Sequence, residues 1–138
     1  MIMKLVDKVM AELQKLGLLP QKEEFGIVFK YQMVNYIYLD NDDEEYIKIY
    51  IPSMMNVDDD DLGMVLTILN SLNNKMKVIK FVVEDGTVWS CYEMRVHDGV
   101  SLGDMIEHAV EGLFVSYQQF YELLKGLVEN FSDDSALN

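Results

Sequence analysis

The chain has 138 residues, half of them hydrophobic, and its 24 acidic and 11 basic residues give a formal net charge of -13. This length and composition predict one globular domain over residues 1–138 and exclude a disordered chain. The negative charge opposes binding to nucleic acid or to anionic membranes, because both need Lys and Arg to neutralise phosphates.

Cys91 is the only cysteine, so the chain cannot form an internal disulfide. Such cysteine usage is typical of a reducing compartment. The N-terminal run does not match a signal peptide, because Asp7 and Lys8 interrupt it and no small-residue cleavage site follows. No run of about 18 apolar residues is present to span a membrane. The sequence therefore predicts a soluble cytoplasmic protein.

The first predicted helix covers residues 2–16. Its apolar residues recur at spacings of three and four, which places them on one stripe. The stripe consists of Ile2, Leu5, Val6, Val9, Leu13 and Leu16. Gly17 stands where a helix commonly ends, and Pro20 prevents the helix from resuming.

Three strands are predicted next, at residues 25–31, 34–39 and 46–51. Each segment alternates in polarity and is rich in Tyr, Ile, Val and Phe, which suits a partly buried pleated surface. The connections are too short for crossovers, so we expect an antiparallel meander. The first turn, at Gln32-Met33, contains no glycine, and the second connection is the polar run 40–45.

The second predicted helix covers residues 58–75 and has an apolar stripe from Leu62 to Leu72. Asp58 to Asp61 fall in its predicted first turn, where carboxylates cap unpaired N–H groups and face the positive end of the helix dipole. Asn73-Asn74 is predicted to end it.

A hairpin follows, with strands at 77–83 and 87–96. Asp85-Gly86 between them is a strong hairpin signal, because a type I′ turn needs positive φ at both central residues. Tyr92 and Met94 fall on one face of the second strand and Trp89 and Cys91 on the other. Since both faces are partly apolar, we expect the hairpin to be an inner piece of the sheet, covered on both sides.

The last predicted helix opens at Ser101, with Asp104 three residues on in a relative of the capping box. Its apolar positions run from Leu102 to Phe131, about 45 Å at 1.5 Å per residue. Gly112 or Gly126 could bend or end it earlier. Residues 132–138 are predicted to be a frayed acidic tail. The whole chain is thus an α+β fold of order α-β-β-β-α-β-β-α, an antiparallel sheet packed by helices.

The sequence predicts no catalytic, cofactor-binding or metal-binding residue. Asp40, Asp42 and Glu44 have the spacing of the first ligands of a calcium loop, but Glu45 stands where that loop needs Gly. His97 and His108 belong to no zinc or triad pattern. Cys91 has no basic neighbour in sequence to lower its pKa, so we expect a buried apolar thiol.

Aromatic residues are concentrated on the first three strands. Tyrosines on a sheet usually pack with the hydroxyl at the rim, and they also form protein-binding faces. Sheet packing is the interpretation we prefer, with an interface as the alternative. The interface candidates are Tyr36, Tyr38, Tyr50 and Trp89.

Several of these segments resemble the YbjN-like domains of bacteria, over roughly residues 24–124. The segments are Phe29-Lys30-Tyr31, Tyr36-Ile37-Tyr38-Leu39-Asp40, Tyr50-Ile51-Pro52, the run 69–77, Glu84-Asp85-Gly86-Thr87-Val88-Trp89 and Phe120-Tyr121-Glu122-Leu123-Leu124. Gln32-Met33 departs from the glycine-containing turn of that family. The resemblance implies the fold of type III secretion chaperones, with no catalytic residues to transfer. It also implies either a regulator of sensory transduction or a dimeric, acidic binder of unfolded segments.

We therefore expect a non-enzymatic protein-binding module, chaperone-like or regulatory, that uses sheet or helix surfaces. The alternative is a small-molecule-binding protein or enzyme with an unrecognised pocket, which requires convergent polar groups and a perturbed titratable residue. A third possibility, an acidic mimic of nucleic acid, requires charges along one exposed ridge. The expected partners are another protein and a second copy of the chain, because the hairpin is apolar on both faces and sheet edges need cover.

Overall fold

A computed structural model describes residues 2–137, with side chains described as far as Val128. The α+β class predicted from the sequence is confirmed, and the described chain has one strand more than expected. The elements are α1 (Leu5–Lys15), β1 (Gln21–Glu23), β2 (Gly26–Tyr31), β3 (Val34–Leu39), β4 (Tyr46–Ile51), α2 (Leu62–Lys75), β5 (Ile79–Glu84), β6 (Thr87–Arg95) and α3 (Leu102–Leu137).

The strands form one six-stranded sheet of order β1-β2-β3-β4-β6-β5, with every neighbouring pair antiparallel. The predicted meander and hairpin are both present. The added strand, β1, consists of three exposed residues that pair with the start of β2. Its composition, Gln-Lys-Glu, has no apolar alternation, so the sequence pattern gave no sign of it.

The three helices pack on one face of this sheet, which we call the covered face. One cluster joins α1 and α3 to β2, β3, β4 and β6, and the other joins α2 and α3 to Phe81 and Val88 on the hairpin. In both clusters the strand residues are every second residue of their strands, so they all point to the same face of the sheet. Within this set Phe29 is directly opposed to Tyr36, and Tyr38 to Ile49. The remaining strand residues form the other face, which no described part of a helix covers. We call it the open face.

Two hairpin turns have the same backbone form. Asp85 and Gly86 have φ values of 50° and 73°, which confirms the predicted type I′ turn. Gln32 and Met33 have φ values of 50° and 67° between the paired residues Tyr31 and Val34. This second turn is held in the left-handed region without glycine, so pairing of the flanking strands imposes its conformation.

Helix α1 begins at Leu5, three residues later than predicted, and the acidic loop after β3 caps it. The Leu5 N–H donates to Glu44 Oε2 at 2.8 Å. At the other end Gly17, with φ of 75°, forms a Schellman motif in which the Leu18 N–H donates to the Leu13 carbonyl at 3.2 Å. The predicted role of Gly17 is confirmed.

The predicted start of the second helix was wrong, because α2 begins at Leu62. The Asp61 N–H donates to the Asp58 carbonyl at 3.0 Å, so backbone turns precede the helix, and Asp61 makes no side-chain cap. The helix ends at Lys75, as its predicted range had it, and Asn73 lies within its last turn. The Asn73 side chain bonds both the N–H and the carbonyl of Phe81 on β5, at 2.7 and 3.1 Å.

Strand β5 lies at one edge of the sheet, so the expectation of an inner, doubly covered hairpin was wrong. Of the two hairpin strands, only β6 lies inside the sheet, between β4 and β5. An edge strand presents unpaired backbone groups that invite aggregation. Asn73 occupies those of Phe81 and thereby closes the middle of this edge to another strand.

Helix α3 starts as predicted, with Ser101 Oγ accepting a hydrogen bond from the Asp104 N–H at 3.3 Å. It has 36 residues and is about 54 Å long. Gly112 and Gly126 do not interrupt it. The predicted frayed tail was wrong for residues 132–137, which continue the helix, while Asn138 and the Phe131 side chain lie outside what is described.

Replacing Asn73 with Ala should lower the free energy of unfolding by about 1–3 kcal/mol, because Phe81 loses two backbone partners. Asn74→Ala is the matched control, since Asn74 is the exposed neighbour on the same helix. Its effect should stay within about 0.5 kcal/mol. Urea unfolding of both variants measures the difference, and equal midpoints would contradict the edge-closing role of Asn73.

Replacing Met33 with Gly should raise the free energy of unfolding by about 1 kcal/mol, because glycine adopts positive φ without steric cost. Met33 is almost fully exposed, so little packing is lost. The same change at Asn35, a β3 position without positive φ, should instead destabilise the protein. Thermal unfolding followed by circular dichroism compares the two; destabilisation at both positions would show that the turn is not strained.

Candidate protein-binding surfaces

The four aromatic interface candidates divide between the two faces of the sheet. Tyr36 and Tyr38 are core residues, each 1% exposed. The Tyr36 hydroxyl donates to the Val110 carbonyl of α3 at 2.8 Å, and burial raises the pKa of both phenols. We therefore correct their assignment, because the strand parity turns both rings toward the helices.

Tyr50 and Trp89 lie together on the open face. Their ring centroids are 6.2 Å apart at an angle of 69°, an edge-to-face contact. The Tyr50 hydroxyl donates to Glu93 Oε1 at 3.3 Å and the Trp89 ring N–H donates to Thr87 Oγ1 at 2.9 Å. Both polar atoms are thus satisfied beside an apolar surface.

A row of directly opposed residues crosses the open face from one sheet edge to the other. Its register is Gln21↔Val28, Val28↔Ile37, Ile37↔Tyr50, Tyr50↔Cys91 and Cys91↔Lys80. The four inner members are apolar or aromatic, and they span about 14 Å at 4.8 Å per strand. We call Val28, Ile37, Tyr50 and Cys91 the central row. Val28 and Ile37 are partly exposed, whereas Tyr50 and Cys91 are only 8% and 4% exposed, so the apolar surface that the row offers to a partner lies at its β2 and β3 end.

The central row opens at its β2 end into a groove of about 520 Å³. The loop after α1 forms its outer wall through Leu18 and Leu19, and Val28 and Ile37 line its floor. Leu19 is 86% exposed and has a φ of 49° directly before Pro20. A large apolar side chain is therefore both solvated and held in a strained backbone conformation at the rim of the groove.

Ion pairs neutralise the middle of the open face. Lys80 Nζ lies 3.3 Å from Glu93 Oε1, and Lys48 Nζ lies 3.6 Å from Asp43 Oδ2. The Lys48 side chain is only 10% exposed. Lys48 is therefore a charge removed from water that needs Asp43 as its partner, whereas the Lys80–Glu93 pair is solvent-exposed.

A second apolar surface lies on α2. Leu62 and Leu66 stand four residues apart and are 36% and 47% exposed, and a Cβ added at the adjacent Gly63 would meet nothing within 4 Å. Asp58 to Asp61 are exposed at one end of this stripe, and Lys75 and Lys77 are exposed at the other. We call Leu62, Gly63 and Leu66 the α2 stripe.

The carboxylates of the 40–45 loop are engaged locally. Asp40 Oδ1 accepts from the Asp42 N–H at 3.1 Å, and Asp43 Oδ1 accepts from the Glu45 N–H at 2.8 Å. The bond from Glu45, followed by the charge of Lys48, lowers the pKa of Asp43. Within the described residues, no three His, Cys, Asp or Glu side chains are grouped to hold a metal ion.

The histidines and the cysteine are placed apart. His97 lies in the turn before α3, where its carbonyl accepts from the Val100 N–H at 3.2 Å. His108 Nδ1 lies 3.5 Å from the Tyr92 hydroxyl on the covered side. Cys91 is buried on the open face, and burial raises its pKa to about 12, so the thiol stays protonated.

The sequence predicted two open-face residues, Tyr50 and Trp89, and missed the groove. Leu19, Val28 and Ile37 come from a loop and two strands, and only the strand register brings the last two together. One local sign was available for Leu19. It is an apolar residue between a helix-ending glycine and a proline, where a loop residue is expected at the surface.

The fold resembles that of YbjN from E. coli, described as "a putative transcription regulator". The two structures superpose with a TM-score of 0.63 over 88% of this chain and 93% of YbjN, at 12% sequence identity. At that identity the likeness shows the fold alone. No protein-family model and no curated protein sequence matches the chain. Across the described residues, every helix is too short or too polar to span a bilayer.

Proposed function

We propose that this protein is a non-enzymatic module that binds another polypeptide in a chaperone-like or regulatory role, with the open face as the docking surface. The observation that carries the proposal is Leu19, exposed and strained at the rim of an apolar groove. Burying a leucine side chain contributes about 1.5–3 kcal/mol of favourable free energy, so a partner that covers Leu19 gains this free energy on binding.

The kind of residue on the open face supports the same proposal. Tryptophan and tyrosine dominate the binding energy of protein interfaces, and Trp89 packs edge-to-face on Tyr50 of the central row. The regulator description of the E. coli neighbour is compatible with such a role. A cytoplasmic location belongs to the proposal, supported by the unpaired Cys91.

The enzyme alternative lacks support at the groove. Among the described residues that line it there is no His, Cys, Asp or Glu to act as acid, base or nucleophile. The acidic-mimic alternative is disfavoured because the 40–45 carboxylates bond their own loop and cap α1.

A second copy of the chain is the other partner we propose, and the α2 stripe is the surface that favours it. Two α2 helices packed antiparallel about Leu66 would bring the Leu66 side chains of both copies together. The same arrangement would set the Asp58–Asp61 run of one copy beside Lys75 and Lys77 of the other. Helix dipoles also favour antiparallel packing. This isologous pairing satisfies the requirement that one patch complement itself.

Replacing Ile37 with Lys should abolish partner binding, because it places a charge in the central row. Val115→Lys is the matched control, since Val115 is an exposed β-branched residue on α3, away from the open face. The measurement is quantitative recovery of polypeptides from cell lysate on the immobilised wild-type and variant chains. A polypeptide bound by wild type and V115K but not by I37K is expected. Equal recovery by all three would contradict the open-face assignment.

Replacing Leu66 with Glu should convert a dimer into a monomer, because it adds a carboxylate to an apolar contact beside the Asp run. Asp60→Lys should weaken the dimer, and Lys75→Glu in the same chain should restore it by exchanging the charges. Light scattering from micromolar to millimolar concentration measures the mass, with Val115→Glu as control. A monomeric wild type throughout that range would refute the dimer.

A further inference from the structure

Three polar side chains stand around the groove of the open face without a described partner. Lys30 is the only charged residue among those described as lining it, and the amides of Gln21 and Asn35 flank it. Lys30 and Asn35 are directly opposed on β2 and β3, and Gln21 is opposed to Val28. Within the described residues, none of the three side chains makes a hydrogen bond or ion pair.

We infer that the groove binds the carboxyl-terminal end of a partner polypeptide, with an apolar last side chain. This inference rests on the proposed function, since it names the segment that the open face receives. The last side chain fills the space between Leu19 and the floor residues Val28 and Ile37. Lys30 pairs with the terminal carboxylate, and Gln21 and Asn35 bond main-chain amides.

Charge complementarity selects a carboxylate. A chain of net charge -13 repels anions at long range, yet the Debye length of about 8 Å at physiological salt leaves the local cation dominant inside the groove. Charge-assisted hydrogen bonds from an ammonium to a carboxylate are about twice as strong as neutral ones.

The two amides favour a polypeptide over a fatty acid. A fatty acid needs an apolar channel and one cation, and it leaves Gln21 and Asn35 without a role. A peptide brings main-chain N–H and C=O groups that must be satisfied when they leave water. Small-molecule pockets of about 300–1,000 Å³ are lined in the same way, mostly apolar with a few polar groups. The present groove has that character but continues onto the central row.

The rest of the bound partner segment would lie along the central row. It spans about 14 Å from Val28 to Cys91, the length of about four extended residues. A segment with alternating apolar side chains would place the last of them against Val28 and Ile37, and its amino-terminal part would cross the row toward Trp89, which packs on Tyr50. Trp89 is the only tryptophan of the chain, so its fluorescence reports occupancy of the far end.

The test uses a synthetic peptide, acetyl-Leu-Ser-Leu-Ser-Leu, once with a free carboxylate and once as its carboxyl-terminal amide. Calorimetry and Trp89 emission measure the binding of both to the full chain. We expect the free acid to bind about tenfold more tightly than the amide. Lys30→Met should reduce that ratio to about one, and Lys8→Met, at an exposed lysine of α1, should leave it unchanged.

Equal affinity of acid and amide for the wild-type chain would overturn the inference, and so would tighter binding of decanoate than of the peptide acid. Absence of peptide binding up to millimolar concentration would also overturn it. The proposed function fails separately, through equal lysate recovery by the wild-type, I37K and V115K chains. A peptide that binds as acid and amide alike, but not to I37K, would leave the docking surface in place and remove only the role of the carboxylate.

Discussion

A sheet has two faces, and the helices of this chain, as far as they are described, cover only one. Helix α3 holds that arrangement through polar anchors within an apolar core. Tyr36 donates to the Val110 carbonyl at 2.8 Å, and the Ser90 and Ser116 hydroxyls meet at 2.7 Å. Because buried polar groups are costly without partners, these contacts fix which strand parity faces the helices. The open face, and every surface proposed on it, follows from that choice.

The open face also differs from the rest of the chain in charge. Strand parity places four basic and three acidic residues there, although the chain as a whole has a net charge of -13. These residues are Lys30, Lys48, Lys80, Arg95, Glu23, Glu84 and Glu93. The surplus carboxylates therefore lie on loops and helices, where they keep the protein soluble without opposing contact at the sheet.

Local signals in the sequence were sufficient for most elements. Asp85-Gly86 identified its turn because two positive φ values select those residues, and Gly17 identified a helix end for the same reason. Which face of β3 points to the helices could not be predicted from the local sequence, because Tyr36 and Tyr38 alternate with the apolar Ile37. Either set could have faced the helices, and the interface assignment of the two tyrosines failed on that point. Likewise, β1 exists only because β2 offers it a pairing edge.

The candidate surfaces combine residues that are distant in the sequence, whereas most elements of the fold were identified from neighbouring residues. Tyr50 and Trp89 were recognisable as contact-prone residue types, but the groove requires Leu19 from a loop, Val28 and Ile37 from two strands, and Lys30 beside them. No spacing rule connects residues 19, 28, 30 and 37 until the register is known. The strain at Leu19 is likewise a property of the folded chain, since its φ of 49° lies outside the extended region that a residue before proline normally adopts. The proposed contact on the open face would bury this leucine in a conformation that the folded chain already holds.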